Sequence, residues 1–275
     1  MAQAGKSFVL FIGILFLSVN EAVADNSINE DGVRIVGGEA ADYGEIPYQI
    51  ALYYQGYFMC GGSLINVDGQ DMIVTAAHCV QQSLNPSSYL VVAGEVKVNE
   101  VGVGQVRNIT NIRIHEKYEP RLIRNDIAVL GISHIFKRNR FLSAIRLPRL
   151  KERIGSYGVV SGWGILNRTE QTPAPVLQKA KVRIGPDAYC KRAHPQLFVP
   201  ATMICAGVRR GACKGDSGGP LRDYKKGFLA GIVSFNHPNE PCTRPKHNPV
   251  YTRVSAYVKW IEETPHMFSQ NGVSN

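Results

Sequence analysis

The sequence predicts an all-β fold, a barrel or a sandwich, that ends in one helix. From Ile35 onward, short apolar runs alternate with turn residues about every 8–12 residues, and the runs are rich in β-branched and aromatic side chains. They are too short to be helices. Glycine, at 27 of 275 residues, and 15 prolines interrupt the chain throughout, which excludes a long coiled coil.

Four of these runs show the strand pattern most clearly. They are residues 48–53, 72–75, 89–92 and 228–233. Residues 179–184 instead alternate charged with apolar side chains, and successive side chains of a strand point to opposite faces. We therefore expect that strand to have one solvated face and one packed face.

The C-terminal region carries the one clear helical pattern. Val254, Tyr257, Val258 and Ile261 recur at the spacing of a single apolar stripe along a helix. Proline cannot donate the backbone hydrogen bond that continues a helix, so we expect Pro265 to end it.

Composition limits the class of protein further. Hydrophobic residues make up 44% of the chain, which is enough apolar surface to exclude a disordered protein. The net charge is +9, and the six cysteines favour disulfides if the chain is exported. No internal repeat or low-complexity linker divides the sequence.

The N-terminus has the pattern of a secretory signal. Lys6 precedes an apolar run at residues 8–19, and residues 22–24 supply a small-x-small cleavage pattern. A membrane anchor is the alternative, but spanning a bilayer needs about 20 apolar residues. We therefore predict that residues 1–24 are a cleaved signal peptide and that the mature protein is secreted and extracellular, without a membrane span.

A short acidic stretch separates the predicted signal from the first strand pattern. Residues 25–34 have no apolar period and end in Arg34, so they are interpreted as a pro-segment. Residues 1–34 contain two cations and four anions, which leaves a net charge of +11 on the remaining 241 residues.

The segment from Gly215 to Pro220 is the most informative in the chain. Glycines on both sides of Ser217 let the backbone turn tightly and leave its amides open toward a bound carbonyl. A serine is a poor nucleophile alone and needs a neighbouring base that a third group orients. The segment therefore predicts a nucleophile beside an oxyanion hole.

Two other segments offer the base and the group that orients it. His78 follows the small residues Ala76 and Ala77, and Asp126 directly precedes a buried apolar run. Taken singly, His78 could be a core histidine, Asp126 a strand-start cap and Ser217 part of a flexible glycine turn. Together, in the order His, Asp, Ser, they indicate nucleophilic catalysis.

With these segments the sequence resembles the trypsin-like serine endopeptidases, which have the chymotrypsin fold. The resemblance extends from Ile35 to about Thr264. Its segments are residues 34–38, 60–65, 75–79, 125–128, 161–164, 215–220 and 249–254. It implies two six-stranded antiparallel β-barrels with the active site between them and a C-terminal helix. The peptidase domain would cover residues 35–275, with one barrel at about 35–147 and the other at about 148–275.

The resemblance also implies a role for each catalytic residue. Ser217 would attack the scissile carbonyl, and His78 would accept and then return the proton. Asp126 would hold the histidine in the correct tautomer. The backbone amides of Gly215 and Ser217 would form the oxyanion hole, and no cofactor is needed.

Disulfide pairing follows from the resemblance alone, since six cysteines allow 15 pairings. The implied bridges are Cys60–Cys79, Cys190–Cys205 and Cys213–Cys242.

We expect no metal site. The chain has no Cys-x-x-Cys pair, and its other six histidines lack ligand spacing. Glu95 and Glu100 could begin the calcium loop of trypsins, but the far end of that segment lacks a closing carboxylate.

Activation by proteolysis is a further implication of the resemblance. A cut after Arg34 by an upstream trypsin-like protease would free the α-amine of Ile35. That ammonium would then pair with the buried carboxylate of Asp216.

The residues of the specificity pocket depart from trypsin. The pocket-floor aspartate of trypsins is replaced by Gly211, which Ala212 follows. Ser234 begins one pocket wall, and two wall positions that are usually glycine are Asn236 and Pro249. We expect elastase-like preference for small or medium apolar residues. The loop to Cys242 is longer than in trypsin and could swing Asn236 aside, which would admit a larger aromatic residue as in chymotrypsin.

The basic surface and two sequons suggest partners other than substrates. Most of the basic residues are expected to be ordinary solvated surface, with acidic glycans as the sharper alternative. Acidic substrate segments are a second acidic partner that these residues could bind. The basic residues include Arg121, Arg124, Lys137, Arg138, Arg140, Arg149, Lys151, Arg153, Lys191, Arg192, Arg209 and Arg210. Lys214 borders the predicted oxyanion hole and could favour acidic residues just after the cleaved bond. Asn108 and Asn167 are glycosylation candidates. We expect a monomer that binds protein or peptide substrates and protein inhibitors but no nucleic acid or membrane.

Two competing functions remain open. An α/β-hydrolase also places a serine between glycines, but it needs a helix after the serine and the order Ser, Asp, His. Here Pro220 and a turn follow Ser217 instead. The second alternative is an inactive protease homologue that acts as a binding or cofactor protein, because Asn236 and Pro249 could occlude the pocket. Such homologues usually lose a catalytic residue, and this chain retains all three.

Overall fold

Two antiparallel β-sheets form the framework of the structure, which confirms the predicted all-β class. The computed structural model describes Met1 and residues 38–98, 104–165, 172–207, 211–237, 240, 242 and 246–271. Apart from Met1, the predicted signal peptide and pro-segment, including Arg34, lie outside the described residues. So do Ile35, Glu100 and Asn167.

The first sheet is a closed six-stranded barrel. Its strands are β2 (Gln49–Tyr54), β3 (Tyr57–Val67), β4 (Gln70–Thr75), β5 (Tyr89–Ala93), β6 (Gln105–Ile114) and β7 (Ala128–Ile132). They are hydrogen-bonded in the order β2-β3-β4-β7-β6-β5, and β5 returns to β2. Three of the predicted apolar runs form β2, β4 and β5. Closure leaves no free strand edge, and the apolar side chains fill the interior.

The second sheet has seven strands in the order β1-β9-β8-β11-β12-β13-β10. They are β1 (Glu39–Ala40), β8 (Tyr157–Gly162), β9 (Gln178–Arg183), β10 (Met203–Cys205), β11 (Pro220–Asp223), β12 (Leu229–Phe235) and β13 (Val250–Arg253). Strand β9 buries alternate side chains, as its charged and apolar pattern predicts.

The ends of this second sheet meet, so that six of its strands close on themselves. The amide of Gly185 donates to the carbonyl of Cys205 at 2.8 Å, and the amide of Gly207 donates to the carbonyl of Arg183 at 3.0 Å. These bonds join β9 to β10. Strand β1 pairs with the outer edge of β9, so the start of the predicted first barrel belongs to the second sheet. The predicted boundary near residue 147 falls between β7 and β8.

The described part of the chain also contains two α-helices, α1 (Asp187–Ala193) and α2 (Val258–Asn271). A 3₁₀ turn at Val254–Ala256 leads into α2. The predicted apolar stripe is buried, with Val254 and Ile261 fully inaccessible to solvent.

The prediction that Pro265 ends the last helix is wrong, because α2 continues through it to Asn271. Interactions before and after the proline hold the helix. The carbonyl of Trp260 accepts hydrogen bonds from Arg113 and from the hydroxyl of Thr264. Phe268, beyond the proline, packs against the core. Packing of these side chains outweighs the single backbone hydrogen bond that proline removes.

Polar contacts connect the two barrels. The hydroxyl of Ser161 on β8 donates to the side-chain oxygen of Gln49 on β2 at 2.6 Å. The indole of Trp163 donates to the carbonyl of Val96 at 2.9 Å. Both hydrogen bonds are buried, so they fix the faces of the barrels that line the site.

The structure contains the three disulfides that the resemblance implied. They are Cys60–Cys79, Cys190–Cys205 and Cys213–Cys242, and they account for every cysteine. Among the described residues, no helix is both long and apolar enough to cross a membrane.

Candidate active site

The local structure around His78 fixes its position at the edge of the first barrel. His78 lies in a 3₁₀ turn at Ala77–Cys79, directly after β4. The small side chains of Ala76 and Ala77 are completely buried, so the backbone packs tightly against the barrel. The bridge from Cys79 to Cys60 on β3 anchors the other end of the turn.

His78 and Asp126 form a close pair. The His78 Nδ1 atom lies 2.8 Å from Asp126 Oδ2. The His78 backbone amide donates to the other carboxylate oxygen at 3.0 Å. Two contacts between the same residues fix the ring relative to the carboxylate. The carboxylate is wholly buried, whereas 26% of the histidine side chain remains exposed.

Two residues of the second barrel hold Asp126 from behind. The hydroxyl of Ser234 donates to Asp126 Oδ2 at 2.6 Å. The hydroxyl of Thr252 donates to the backbone carbonyl of Asp126 at 2.7 Å. A buried carboxylate needs such donors in place of water. The sequence pattern predicted Ser234 only as a residue of the specificity pocket and did not indicate a role for Thr252.

The environment of His78 changes its basicity. Burial lowers the pKa of His78, but the hydrogen bond to Asp126 and the negative charge of that carboxylate raise it more, so the net shift is upward from 6.5. A histidine with a raised pKa is a stronger base.

Ser217 lies in a glycine turn that packs against the first barrel. The Ser217 carbonyl accepts a hydrogen bond from the amide of Gly61 at 2.8 Å. A side chain at Gly218, where φ is +76°, would begin 2.1 Å from the hydroxyl of Thr75 and 2.6 Å from the carbonyl of Gly61. Only glycine fits there. Since Thr75 ends the strand that leads to His78, the turn holds the serine next to the histidine segment.

Two backbone amides in this turn are available to a ligand. The amides of Gly215 and Ser217 donate no hydrogen bond to any of the residues that the structure describes. Gly215 has φ of +92°, a conformation that favours glycine. Both residues are half-buried. Such an amide pair can bind an oxygen that acquires negative charge.

Asp216 is the buried carboxylate between these two amides. Its oxygens accept hydrogen bonds from the amide of Gly164 at 2.7 Å and from the amide of Cys213 at 2.8 Å. Its side chain fills the space that a side chain at Gly164 would need, since a Cβ there would begin 2.4 Å from the carboxylate. Burial raises the pKa of Asp216 to about 6, although these amides act in the opposite direction.

The predicted pocket residues lie together on the second barrel. Gly211 and Ala212 are buried, and a side chain at Gly211 would begin 2.9 Å from the ring of Pro249. The side-chain amide of Asn236 donates to the carbonyl of Ala212 at 3.1 Å. Ser234, at the start of this wall, directs its hydroxyl to Asp126.

Two other predicted residues lie away from this constellation, and a third borders it. Asn108 is exposed in the middle of β6. Glu95 accepts hydrogen bonds from the hydroxyl of Tyr43 and the amide of Gly104, both at 3.0 Å. Lys214 is exposed directly before Gly215.

Two β-barrels, a carboxylate–histidine pair and a serine among glycines define a serine endopeptidase of chymotrypsin-like fold. The family model described as Trypsin matches residues 35–261 of this sequence. The chain therefore belongs to the trypsin family.

Relatives agree with this assignment. The sequence is 38% identical to Trypsin-1 of Astacus astacus over 241 residues, which cover 83% of this chain and 98% of the relative. It is 35% identical to the Vitellin-degrading protease of Bombyx mori over 237 residues, with 84% of this chain and 85% of the relative covered. It is 34% identical to Serine protease 1 of Canis lupus familiaris over 255 residues, with 91% and 97% covered.

Proposed function

We propose that this protein is a secreted serine endopeptidase, made as a zymogen, whose catalytic residues are Ser217, His78 and Asp126. The 2.8 Å contact between His78 and the buried carboxylate of Asp126 is the observation that carries the proposal. A buried, oriented carboxylate beside a partly exposed imidazole is what a base needs to activate a serine. The proposal takes its substrate class, proteins and peptides, from the family.

The proposed mechanism begins with attack on the scissile carbonyl carbon by the Ser217 oxygen. His78 accepts the hydroxyl proton at Nε2, and Asp126 stabilises the resulting imidazolium. The carbonyl oxygen becomes an oxyanion that the amides of Gly215 and Ser217 would bind. When the C–N bond breaks, His78 gives the proton to the leaving amine. Water then attacks the acyl-enzyme with His78 again as base, and Ser217 is released.

Activation would use the buried carboxylate of Asp216. A cut after Arg34 creates an ammonium at Ile35, and we propose that it enters the barrel to pair with this carboxylate. The raised pKa of Asp216 supports this role, because a buried carboxylate that accepts hydrogen bonds from neutral backbone amides still gains from a positive partner. The pairing would order the turn that carries Gly215 and Ser217.

The residues of the predicted pocket favour cleavage after Arg34 by another protease. A pocket with Gly211 and Ala212 at its floor offers no carboxylate to the side chain of Arg34. Purified zymogen incubated alone is therefore expected to stay intact, and an added trypsin-like protease is expected to release Ile35. Rapid self-cleavage at Arg34 would contradict this specificity.

We propose that the enzyme cleaves after small or medium apolar residues. The Pro249 ring lies close to Gly211, and the side-chain amide of Asn236 donates a hydrogen bond to the carbonyl of Ala212. Both contacts shorten or narrow the slot, as in elastase-like enzymes. A chymotrypsin-like preference for aromatic residues is the alternative, and it requires Asn236 to leave Ala212.

The same contacts favour one other candidate function. If Pro249 and Asn236 close the pocket, the chain would be a weak or inactive homologue that acts as a binding protein. The retained pair of His78 and Asp126 supports the active enzyme.

Cleavage of a peptide library by protein that has been cut after Arg34 tests these proposals together. We expect cleavage after small or medium apolar residues. The matched Ser217→Ala protein, cut in the same way, should cleave no peptide. Equal cleavage by both proteins would reveal a contaminant, and no cleavage by either would favour the binding protein.

A further inference from the structure

A histidine cluster lies at the edge of the specificity pocket, away from the catalytic residues. His237, Glu240 and His247 each offer one ligand atom, and these atoms all lie within 4.8 Å of one another. We propose that they form a binding site for Zn²⁺ or a similar transition-metal cation. This proposal replaces the expectation of no metal, which rested on spacing along the sequence.

The carboxylate of Glu240 is already held in place. Its Oε1 atom lies 2.7 Å from Nδ1 of His247. Its Oε2 atom accepts hydrogen bonds from the amides of Lys246 at 2.8 Å and His247 at 3.0 Å. Hydrogen bonds to a ligand's second oxygen orient the first one toward a cation. Glu240 thus presents one carboxylate oxygen beside the imidazole of His247.

A third histidine supports the two imidazoles. The rings of His237 and His247 stack with centroids 4.7 Å apart and planes 24° apart. His194 packs against both rings, at 5.4 and 6.3 Å between centroids. It is 98% buried, since its relative exposure is 2%, and its Nε2 atom lies 2.9 Å from the carbonyl of Asn248. Its buried Nδ1 atom has no hydrogen-bond partner among the described residues.

The donor set selects the type of cation. Two imidazole nitrogens and one carboxylate suit zinc, which often keeps a fourth position for water. Calcium and magnesium require mainly oxygen ligands. Zinc bonds of about 2.0–2.1 Å in a tetrahedron separate neighbouring ligand atoms by about 3.3 Å. Glu240 and His247 would move apart by several tenths of an ångström, and His237 would turn toward them.

The other group of metal-ligating side chains among the described residues cannot compete. It consists of Cys60, His78 and Cys79. The two cysteines are joined to each other in a disulfide, so their sulfurs are not thiolate ligands.

The proposed site connects both walls of the pocket. His237 directly follows Asn236, whose side chain donates to Ala212. His247 precedes Asn248, which accepts from His194 and leads to Pro249. A bound cation would therefore link the segment of Asn236 to the segment of Pro249, and we infer that it changes substrate binding more than the chemical step.

Calorimetric titration with ZnCl₂ tests the site itself. The full chain is used with Ser217→Ala, so that self-digestion cannot interfere and the result does not depend on activity. We expect one bound zinc per chain and at least tenfold weaker binding after His237→Ala or His247→Ala. His134→Ala, which changes an exposed histidine outside the cluster, should bind as tightly as the parent.

Two results would overturn the site: no zinc binding by the parent chain, or equal affinity in both histidine variants. Thermal unfolding without zinc shows whether each variant is folded. If a histidine variant is not, Glu240→Gln replaces it, because it keeps the size of the side chain and removes the charged ligand. Unchanged affinity in Glu240→Gln would also count against the site.

Kinetics test the link to the pocket, and this part alone rests on the proposed peptidase activity. At saturating zinc we expect KM for an apolar peptide substrate to change at least twofold, with kcat nearly constant. The change should disappear in His247→Ala. An unchanged KM in an enzyme that binds zinc by calorimetry would overturn the link, whereas an enzyme that cleaves no substrate would contradict the proposed function instead.

Discussion

Ser234 donates its hydroxyl to the same oxygen of Asp126 that faces His78, at 2.6 Å, although 108 residues separate the two in sequence. The carboxylate belongs to the first barrel and the serine to β12 of the second. The hydrogen bond therefore connects the second barrel directly to the carboxylate that contacts His78. This arrangement explains how Asp126 can be fully buried and still keep one orientation toward the imidazole.

Ser234→Ala should lower kcat without changing the fold. The variant removes a hydrogen bond to a charged group, which is typically worth about 1.5–3 kcal/mol. If this whole free energy stabilises the transition state through the orientation of Asp126, kcat falls roughly 10- to 100-fold. Steady-state kinetics on an apolar peptide substrate measure the effect. Ser156→Ala, at an exposed position, is the control and should match the parent.

The activity of the cleaved enzyme should rise with pH as His78 loses its proton. Because the net pKa shift of His78 is upward, the midpoint of the acidic limb of kcat/KM should lie above 6.5. Asp126→Asn removes the charge that raises this pKa, so the midpoint should move down while the rate falls by about 10⁴-fold. An acidic limb that stays in place in Asp126→Asn would show that another group titrates.

The stability of the uncut chain should fall as pH rises from about 4 to about 6. Burial raises the pKa of Asp216 from 3.8 to about 6, so within this range the folded chain keeps a proton that the unfolded chain has released. Over this range the free energy of unfolding falls by roughly 3 kcal/mol, since two pKa units correspond to about 2.7 kcal/mol.

Cleavage after Arg34 should remove most of this pH dependence, because the ammonium of Ile35 would pair with Asp216. Urea unfolding at pH 4.5 and pH 7 measures the change in the cut and uncut forms, both with Ser217→Ala. Asp216→Asn in the uncut form is the control and should show little dependence in this range. The same fall in both forms would contradict the proposed ion pair.

Pro249→Gly should widen the specificity pocket. The variant removes the ring that lies 2.9 Å from the position of a side chain on Gly211. The ratio of kcat/KM for a phenylalanine substrate to that for an alanine substrate should rise about tenfold, because small differences in pocket volume are worth about 1–3 kcal/mol. Pro200→Gly, on an exposed loop, should leave the ratio unchanged. An unchanged ratio in Pro249→Gly would mean that other residues limit the pocket.

Local patterns along the chain predicted most of the fold. The apolar runs became strands β2, β4, β5 and β12, and the alternating run became β9, because strand periodicity depends on neighbours a few residues away. The same restriction to neighbouring residues explains why the prediction for Pro265 was wrong. The hydrogen bonds of Arg113 and the packing of Phe268 that carry the helix past it are tertiary contacts, which no local rule includes.

The candidate site likewise combines features that local sequence predicts with tertiary contacts that it does not predict. The glycines around Ser217 indicated a nucleophile because turn geometry is local. The contact of Ser234 with Asp126 and the meeting of His194 with His237 and His247 join residues far apart in sequence. The spacing of histidines along the sequence could not reveal this meeting, because His194 follows α1, His237 follows β12 and His247 precedes β13.

Labelling by a fluorophosphonate probe is the direct test of Ser217 as the nucleophile, because the probe reacts only with a serine that a neighbouring base has activated. Protein cut after Arg34 should be labelled on Ser217, as located by mass spectrometry. Uncut protein and cut His78→Ala protein should be labelled far more slowly. Absence of label on the cut parent, or equal labelling of cut His78→Ala, would contradict the proposal that Ser217, His78 and Asp126 act together as the catalytic group.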